Sequence, residues 1–253
     1  MPCLPFVAID VETANLNNAN ICQFGVAFFW DGALSGTSAI LVDPESSFNP
    51  RFKAIHGITP ATVRGALTWQ ELYSQLELFS ERTLDDCIVV SHTYFDRDSI
   101  RKACERYGLR PPAPKVWLDT CEIARRIWPD MQNHKLSTLA QHFEICYEAH
   151  NAGEDARCAG EILLCALQQS GRTMESLIEE HLGRELGKEV SLTVQFRTEK
   201  PPSPEEPATT RLESRPQIAN PQPTEKESSV FLWVYSLVGL VLLSIILWLL
   251  KTL

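Results

Sequence analysis

The hydrophobic pattern of the chain begins with three apolar runs that short polar turns separate. The runs start at Phe6, Ile21 and Ser38, and Asp31-Gly32 breaks the chain between the second and the third. Such spacing is typical of strands in an antiparallel meander. The pattern therefore predicts three neighbouring strands at the start of the chain.

After the meander, short apolar runs alternate with segments of helical periodicity. Two further strands are predicted at residues 87–91 and 116–118. Thr68-x-x-Glu71 is a capping box that predicts a helix starting at Trp69. Further helices are predicted at residues 96–107, 121–128, 136–143 and 155–169, where apolar residues recur every three or four positions. This order predicts an α/β domain over residues 1–172, with a mixed five-stranded sheet flanked by helices.

The segment 173–198 gives a weaker pattern. Residues 174–182 are compatible with a helix, and residues 191–197 alternate apolar and polar side chains as a half-buried strand would. We treat 173–198 as an uncertain extension of the domain, and its sequence gives no indication of function.

The last part of the chain changes composition abruptly. Residues 199–229 contain 7 of the 16 prolines and few large apolar residues, which predicts a disordered linker. Residues 230–250 then form an uncharged apolar run of 21 residues, about the length of a membrane-spanning helix. The alternative, a buried core helix, lacks a folded partner nearby. We expect a single-pass, tail-anchored membrane protein whose domain faces the cytoplasm and whose residues 230–250 contact lipid.

Composition narrows the possible functions. The 253 residues are 44% hydrophobic, enough for one well-packed domain with an appended segment. The net charge of −9 argues against a protein that coats duplex nucleic acid, although an enzyme that grips a strand end needs only a local basic patch. None of the eight cysteines forms a C-x-x-C pair, so buried free thiols are expected rather than zinc ligands or disulfides.

Two acidic residues end the first predicted strand. Side chains two residues apart on a strand project from the same face, so the carboxylates of Asp10 and Glu12 are expected to lie close enough to repel each other. Hard divalent cations such as magnesium bind oxygen ligands of this kind. The pair therefore indicates a metal site, and the alternative is an exposed strand end that happens to be acidic.

Later residues supply further candidates. Asp96 follows a predicted strand at the start of a helix, where compensation of the helix dipole is the simpler explanation. Asp155 falls on the apolar face of its helix, where an unpaired charge is costly, so it needs a partner such as a metal. Asn151 and Glu154 form a plausible capping box for the same helix. His150 is either a surface loop residue or a general base.

Taken together, these residues resemble the three motifs of the DEDDh branch of the DnaQ-like 3′-5′ exonucleases. The motifs occur in family order and spacing: Asp10-x-Glu12-Thr13, Phe95-Asp96 and His150-x-Ala152-x-x-Asp155. His56-Gly57-Ile58-Thr59 is similar to a further family segment. One departure is Thr93-Tyr94 before the second motif, where many members have Asn-Ala.

The resemblance implies a fold, cofactors and residue roles. It implies an RNase H-like fold and two Mg²⁺ or Mn²⁺ ions held by four carboxylates, Asp10, Glu12, Asp96 and Asp155. His150 would deprotonate the attacking water, and Thr13 and Phe95 would contact the terminal nucleotide. The expected activity is release of nucleoside monophosphates from the 3′ ends of single-stranded DNA or RNA. The alternative is a catalytically silent nucleic-acid-binding or scaffolding module tethered to a membrane.

Overall fold

The computed structural model describes residues 3–80 and 83–186. Within these residues there are six strands: β1 (Phe6–Thr13), β2 (Ile21–Trp30), β3 (Ala33–Asp43), β4 (Leu67–Thr68), β5 (Ile88–Ser91) and β6 (Val116–Asp119). The helices of the same residues are α1 (Pro50–His56), α2 (Trp69–Gln75), α3 (Glu77–Ser80), α4 (Phe95–Arg106), α5 (Thr120–Ile127), α6 (Leu136–His142), α7 (Ala152–Ser170) and α8 (Met174–Leu186). A short 3₁₀ helix spans Thr83–Asp86.

The strands form one mixed sheet in the order β4-β3-β2-β1-β5-β6. The meander strands pair antiparallel, β1 with β2 and β2 with β3. The later strands β5 and β6 add to the other side of β1 in parallel. This arrangement confirms the predicted mixed sheet and its five strands, and adds the two-residue strand β4 at the edge beside β3.

Helices cover both faces of the sheet, and the alternation of side chains along β1 and β2 separates the two cores. Phe6 and Phe29 stack on one face with ring centroids 4.6 Å apart, in a cluster that also contains Leu163 of α7. On the other face Phe24 packs against Trp69 of α2 at 6.0 Å. Strand β1 is therefore buried between two layers, and its carboxyl end is the place where polar groups approach the surface.

Helix α7 lies unusually close to the sheet at two glycines. A Cβ atom added to Gly160 would lie 2.2 Å from the Phe29 ring, and one added to Gly25 would lie 2.0 Å from the carbonyl oxygen of Ala152. The absence of these side chains lets α7 contact β2 at its amino end, through Gly25, and at mid-length, through Gly160. This close approach brings the start of α7 beside the end of β1.

The segment after residue 172 begins with a helix, as its pattern allowed. Met174, Leu177 and Ile178 of α8 are buried in the same cluster as Phe6 and Phe29. The first part of the uncertain extension therefore packs with the rest of the domain. The expected strand at residues 191–197 lies outside the described residues.

The predicted linker and membrane span also lie outside the described residues, at 199–229 and 230–250. Among the helices of residues 3–80 and 83–186, none is both long and apolar enough to cross a membrane. All eight cysteines are free thiols, as predicted. Five of them are buried, Cys3 and Cys165 are half-buried, and Cys146 is exposed.

Candidate active site

The first two acidic residues lie on one face at the carboxyl end of β1. Asp10 and Glu12 continue the face that carries Phe6 and Ala8, whose side chains pack in the cluster beneath α7. The two-residue spacing thus places both carboxylates toward α7, as the sequence predicted. Both side chains are partly buried.

Helix α7 supplies the third carboxylate, and its amino end has an internal cap and two contacts with the sheet. The Asn151 side chain caps the helix by accepting from the Gly153 N–H at 3.2 Å. The Gln23 side chain accepts from the Ala152 N–H at 2.9 Å, and the Thr37 hydroxyl donates to the Gly153 carbonyl at 3.0 Å. Asp155 therefore starts from a backbone that β2 and β3 hold in place.

The capping box expected for this helix is only half present. Asn151 is the N-cap, but the Glu154 carboxylate pairs with Arg157 at 2.7 Å. Arg157 lies one helical turn away and also pairs with Glu161 at 2.7 Å. A charged partner at this spacing competes for the carboxylate that a capping box would direct back to the N-cap backbone.

The fourth carboxylate, Asp96, enters from the start of α4. It is only 3% exposed, and its Oδ1 atom accepts a hydrogen bond from the Val11 N–H at 3.0 Å. This bond joins α4 to the backbone between Asp10 and Glu12. Asp96 thus has a defined partner that a role in helix-dipole compensation would not require.

All four carboxylates line one cavity of about 220 Å³. The other lining residues are Val11, His92, Thr93, Phe95, Leu136 and His150. Carboxylate oxygens of Asp10, Glu12 and Asp155 all lie within 4.8 Å of one another, whereas Asp96 is outside this closest group. The structure therefore brings the predicted ligands together in one cavity, with three of them in mutual reach.

One atom of this group shows that the carboxylates fit a cation. Oδ2 of Asp155 is buried and has no hydrogen-bond partner among the described residues. A buried carboxylate oxygen without a partner is costly. Three carboxylates offering oxygens to one point form a donor set of the kind that hard divalent cations bind.

The site is electrostatically strained without a cation. Burial, followed by the charges of Asp96, Asp155 and Glu12, raises the pKa of Asp10 well above its usual range. Burial together with the charges of Asp155 and Asp96 raises the pKa of Glu12 to about 8. Burial raises the pKa of both Asp96 and Asp155 to about 7, against hydrogen bonds from the backbone that lower it. Carboxyl groups in this state gain stability when a cation neutralises them.

Two histidines line the cavity, and only one is placed for proton transfer. The ring nitrogens of His92 lie 3.0 Å from the Thr120 hydroxyl and 2.9 Å from the His134 carbonyl. Burial lowers the pKa of His92 to about 4, so this neutral ring has both nitrogens engaged and acts as a link between strand and loop. His150 instead has a half-exposed side chain, with Nδ1 3.6 Å from Glu12 Oε1.

The residues expected to contact the terminal nucleotide differ in position. Phe95 is 47% exposed and lines the cavity, so its ring is accessible to a ligand. Thr13 is 3% exposed and is not one of the lining residues. A role for Thr13 at the nucleotide stays a prediction. Tyr94, the bulky residue of the divergent segment, lies beneath the Arg97 guanidinium at 4.0 Å.

The basic residues of α4 mostly make internal contacts. Arg101 pairs with Glu105 at 2.5 Å, Lys102 donates to Asn18 at 2.9 Å, and Arg106 donates to Asn20 at 2.7 Å. These bonds fix the helix and the turn that follows β1. They agree with a charged helix surface more than with a row of phosphate contacts.

Several residues that build the site carry no obvious sequence signal. Gly25, Gln23 and Thr37 act through contacts with α7 that are more than 110 residues away along the chain. Helix α1 was also missed, although Asn49-Pro50 and Gly57 are ordinary start and stop signals for a helix.

Comparison with known proteins gives a consistent result. The family model RNase_T, described as exonuclease, matches residues 7–163. A DNA polymerase III of the PolC type from Caldanaerobacter subterraneus subsp. tengcongensis is 29% identical over 167 residues, which cover 65% of this chain and 12% of that protein. The chain thus spans about an eighth of the length of this relative.

Solved structures share the same fold. The nuclease domain of 3′hExo, a DEDDh family member bound to rAMP, superposes with a TM-score of 0.55 at 18% identity and covers 65% of this chain and 92% of that one. Escherichia coli Exonuclease I in complex with a dT13 oligonucleotide superposes with a TM-score of 0.61 at 17% identity, covering 72% and 45% of the two chains. These likenesses support the RNase H-like exonuclease fold that the sequence motifs implied.

Proposed function

The chain belongs to the exonuclease family that the RNase_T model describes, and we propose that it is a membrane-anchored, metal-dependent 3′-5′ exonuclease. It would release nucleoside monophosphates from the 3′ ends of single-stranded DNA or RNA. The observation that carries the proposal is the convergence of Asp10, Glu12 and Asp155 within 4.8 Å, in a cavity that Asp96 and His150 also line.

The four carboxylates would hold Mg²⁺ or Mn²⁺, two ions in all. When bound, the cations would neutralise the charge that develops on the phosphodiester during hydrolysis. Asp10, Glu12 and Asp155 offer the closest set of oxygens, and the buried Oδ2 of Asp155 is the one that most needs such a partner. Asp96 would contribute the oxygen that Val11 does not occupy.

His150 would act as the general base. Its side chain is half exposed at the cavity, so it can reach a water molecule beside a bound phosphate. The ring would take a proton from that water, and the water oxygen would bond to phosphorus as the bond from phosphorus to the 3′ oxygen of the preceding nucleotide breaks. That 3′ oxygen leaves with the electron pair and takes a proton from solvent. Glu12, 3.6 Å from Nδ1, would orient the imidazole, and such distances commonly shorten when substrate binds.

Phe95 would receive the terminal base. Its exposed ring lies in the wall of the cavity, and stacking on an aromatic ring contributes about 1–3 kcal/mol per base without reading its sequence. The two structural neighbours described above were solved with a ribonucleotide and with a deoxyoligonucleotide. The proposal therefore includes both DNA and RNA as substrates.

The membrane part of the proposal rests on sequence. Residues 230–250 are 21 uncharged residues after a proline-rich segment, and a helix of about 20 such residues spans a bilayer. We propose that this run inserts into lipid and leaves the nuclease domain facing the cytoplasm. The silent-module alternative is less favoured, because all four carboxylates and His150 are present.

A time course with end-labelled substrates tests the activity. Single-stranded DNA and RNA, labelled at the 5′ or at the 3′ end, would be incubated with the protein in Mg²⁺, in Mn²⁺ and in EDTA. We expect immediate release of a labelled mononucleotide from the 3′-labelled strand, a ladder of shortening products from the 5′-labelled strand, and no reaction in EDTA. Undiminished cleavage in EDTA would refute the metal requirement, and mononucleotide release from the 5′ end would refute the polarity.

A further inference from the structure

We propose that His56 is a positioning residue of this site, which holds the backbone of Thr13 so that Glu12 faces the bound cation. The inference rests on the proposed function, because it concerns the same carboxylates. His56 itself does not line the cavity, so its influence is transmitted through the end of β1.

The pairing of β1 with β2 is irregular directly after Glu12. Glu12 pairs with Gln23 across the sheet, but the next residue, Thr13, pairs with Ile21. Cys22 is therefore the extra residue of a β-bulge. The bulge lies in β2 and increases the local twist of the pair. Opposite it, β1 passes from Glu12 to Thr13 through the register shift, so the direction of Glu12 depends on how the Thr13 peptide is held.

Hydrogen bonds at the His56 ring define its tautomer. The Ile58 N–H lies 3.0 Å from Nδ1 and can only donate, so Nδ1 is the acceptor. Nε2 then carries the proton of the neutral ring and donates to the Thr13 carbonyl at 3.2 Å. Both nitrogens are used, and the ring connects the turn after α1 to the end of β1, opposite the bulge of β2.

The surroundings favour this neutral form. Burial, followed by the charge of His150, lowers the pKa of His56, against the hydrogen bond to the Thr13 backbone that raises it. The Cys22 thiol lies 4.0 Å from Nε2, a distance too long to compete with the Thr13 carbonyl. The His56 ring therefore holds one position, in which its Nε2–H donates to the Thr13 carbonyl.

Substitutions can remove one of the two hydrogen bonds of the His56 side chain while keeping the other. His56→Asn places an acceptor near the position of Nδ1, so it can keep the Ile58 bond, but its side chain is too short to reach Thr13. His56→Gln places an amide N–H near the position of Nε2 and can restore the Thr13 bond. Cys22→Ala is the matched control, because it removes the thiol beside the ring and leaves both bonds.

The experiment measures Mn²⁺ binding by titration calorimetry on the full-length chain in detergent micelles, with melting temperature and oligonucleotide kinetics alongside. Loss of a residue that orients a metal ligand typically weakens metal affinity by about 10-fold to 100-fold. We expect that loss in His56→Asn, with a melting temperature close to the wild-type value, a lower kcat and a nearly unchanged KM. His56→Gln and Cys22→Ala should bind Mn²⁺ much as the wild type does.

Two results would overturn the inference while leaving the proposed function intact. One is wild-type Mn²⁺ affinity in His56→Asn; the other is loss of affinity in His56→Gln equal to that in His56→Asn, which would show that the Thr13 bond is not what matters. Absence of Mn²⁺ binding by the wild-type chain would instead refute the proposed function together with the inference.

Discussion

Replacing Gly25 by alanine should separate Asp155 from the other carboxylates. Gly25 pairs with Asp10 across the sheet, and a Cβ added to it would lie 2.0 Å from the Ala152 oxygen and 2.5 Å from the Gly153 nitrogen. Both atoms belong to backbone and have no flexible side chain that could swing aside. The amino end of α7 must therefore move as a unit.

The size of the movement follows from ordinary contact distances. An unstrained contact needs 3.4 Å or more, so the start of α7 must retreat by about 1.4 Å from the 2.0 Å position. The bonds from Ala152 to Gln23 and from Thr37 to Gly153 lie at the same place, and each contributes about 0.5–1.5 kcal/mol to stability. Overpacking of this kind adds a cost of about 1–3 kcal/mol.

Catalysis should suffer more than stability. Asp155 follows Gly153 within one helical turn and moves with it, and a displacement of about 1 Å in a catalytic group can cost about 100-fold in rate. We expect Gly25→Ala to lower kcat on a labelled single-stranded oligonucleotide by about 100-fold, measured well below its melting temperature.

A second glycine provides the control. Gly65 has a φ of +81°, and an added Cβ there would meet no atom within 4 Å. Gly65→Ala should cost about 1–2 kcal/mol through backbone strain alone, with kcat unchanged. A folded Gly25→Ala protein with wild-type turnover would refute the idea that this glycine sets the position of Asp155.

Three further predictions concern charge, proton transfer and anchoring. The pKa of Glu12 is raised to about 8 and that of Asp155 to about 7, so the folded metal-free state binds protons more tightly than the unfolded state. The melting temperature of the metal-free protein should therefore fall as pH rises from 5 to 8.5. Mg²⁺ should reverse this fall, and Asp155→Asn should reduce it while abolishing turnover. A pH-independent melting temperature would contradict that reasoning. His150→Ala should lower kcat by about 10²-fold to 10⁴-fold with normal Mn²⁺ binding, and near-normal turnover would return His150 to an ordinary loop residue. A chain that ends at Thr198 should keep full activity per molecule and lose membrane fractionation, and pelleting of that shorter chain with membranes would disprove anchoring through residues 230–250.

Much of the fold was predictable because local periodicity reports burial. Five strands, helix α2 with its capping box and the helices from α4 onward were expected near their observed positions, since apolar residues alternate along a strand and recur every three or four positions along a helix. The shared direction of Asp10 and Glu12 followed from the same alternation. The prediction that Asp155 lies on the inward face of its helix followed from helical periodicity. These are properties of one segment at a time.

The sequence pattern was less informative where two signals compete or where a partner is distant. Glu154 satisfies a capping motif, yet it pairs with Arg157 because an opposite charge one turn away is within reach. Residues 173–198 could not be assigned from sequence. The packing of α8 against the core shows that the first half of this segment belongs with the domain.

The sequence by itself indicated the candidate residues of the site, because strand and helix periods fix the directions of Asp10, Glu12 and Asp155 within their own segments, and the family resemblance added Asp96 and His150. Tertiary structure alone decided how these segments meet. The bulge at Cys22 opposite Glu12 and Thr13, the His56 bond to Thr13 and the close approach at Gly25 all depend on strand register and on the distance between helix and sheet. Such quantities arise from steric fit between residues far apart in the chain, and no local period encodes them.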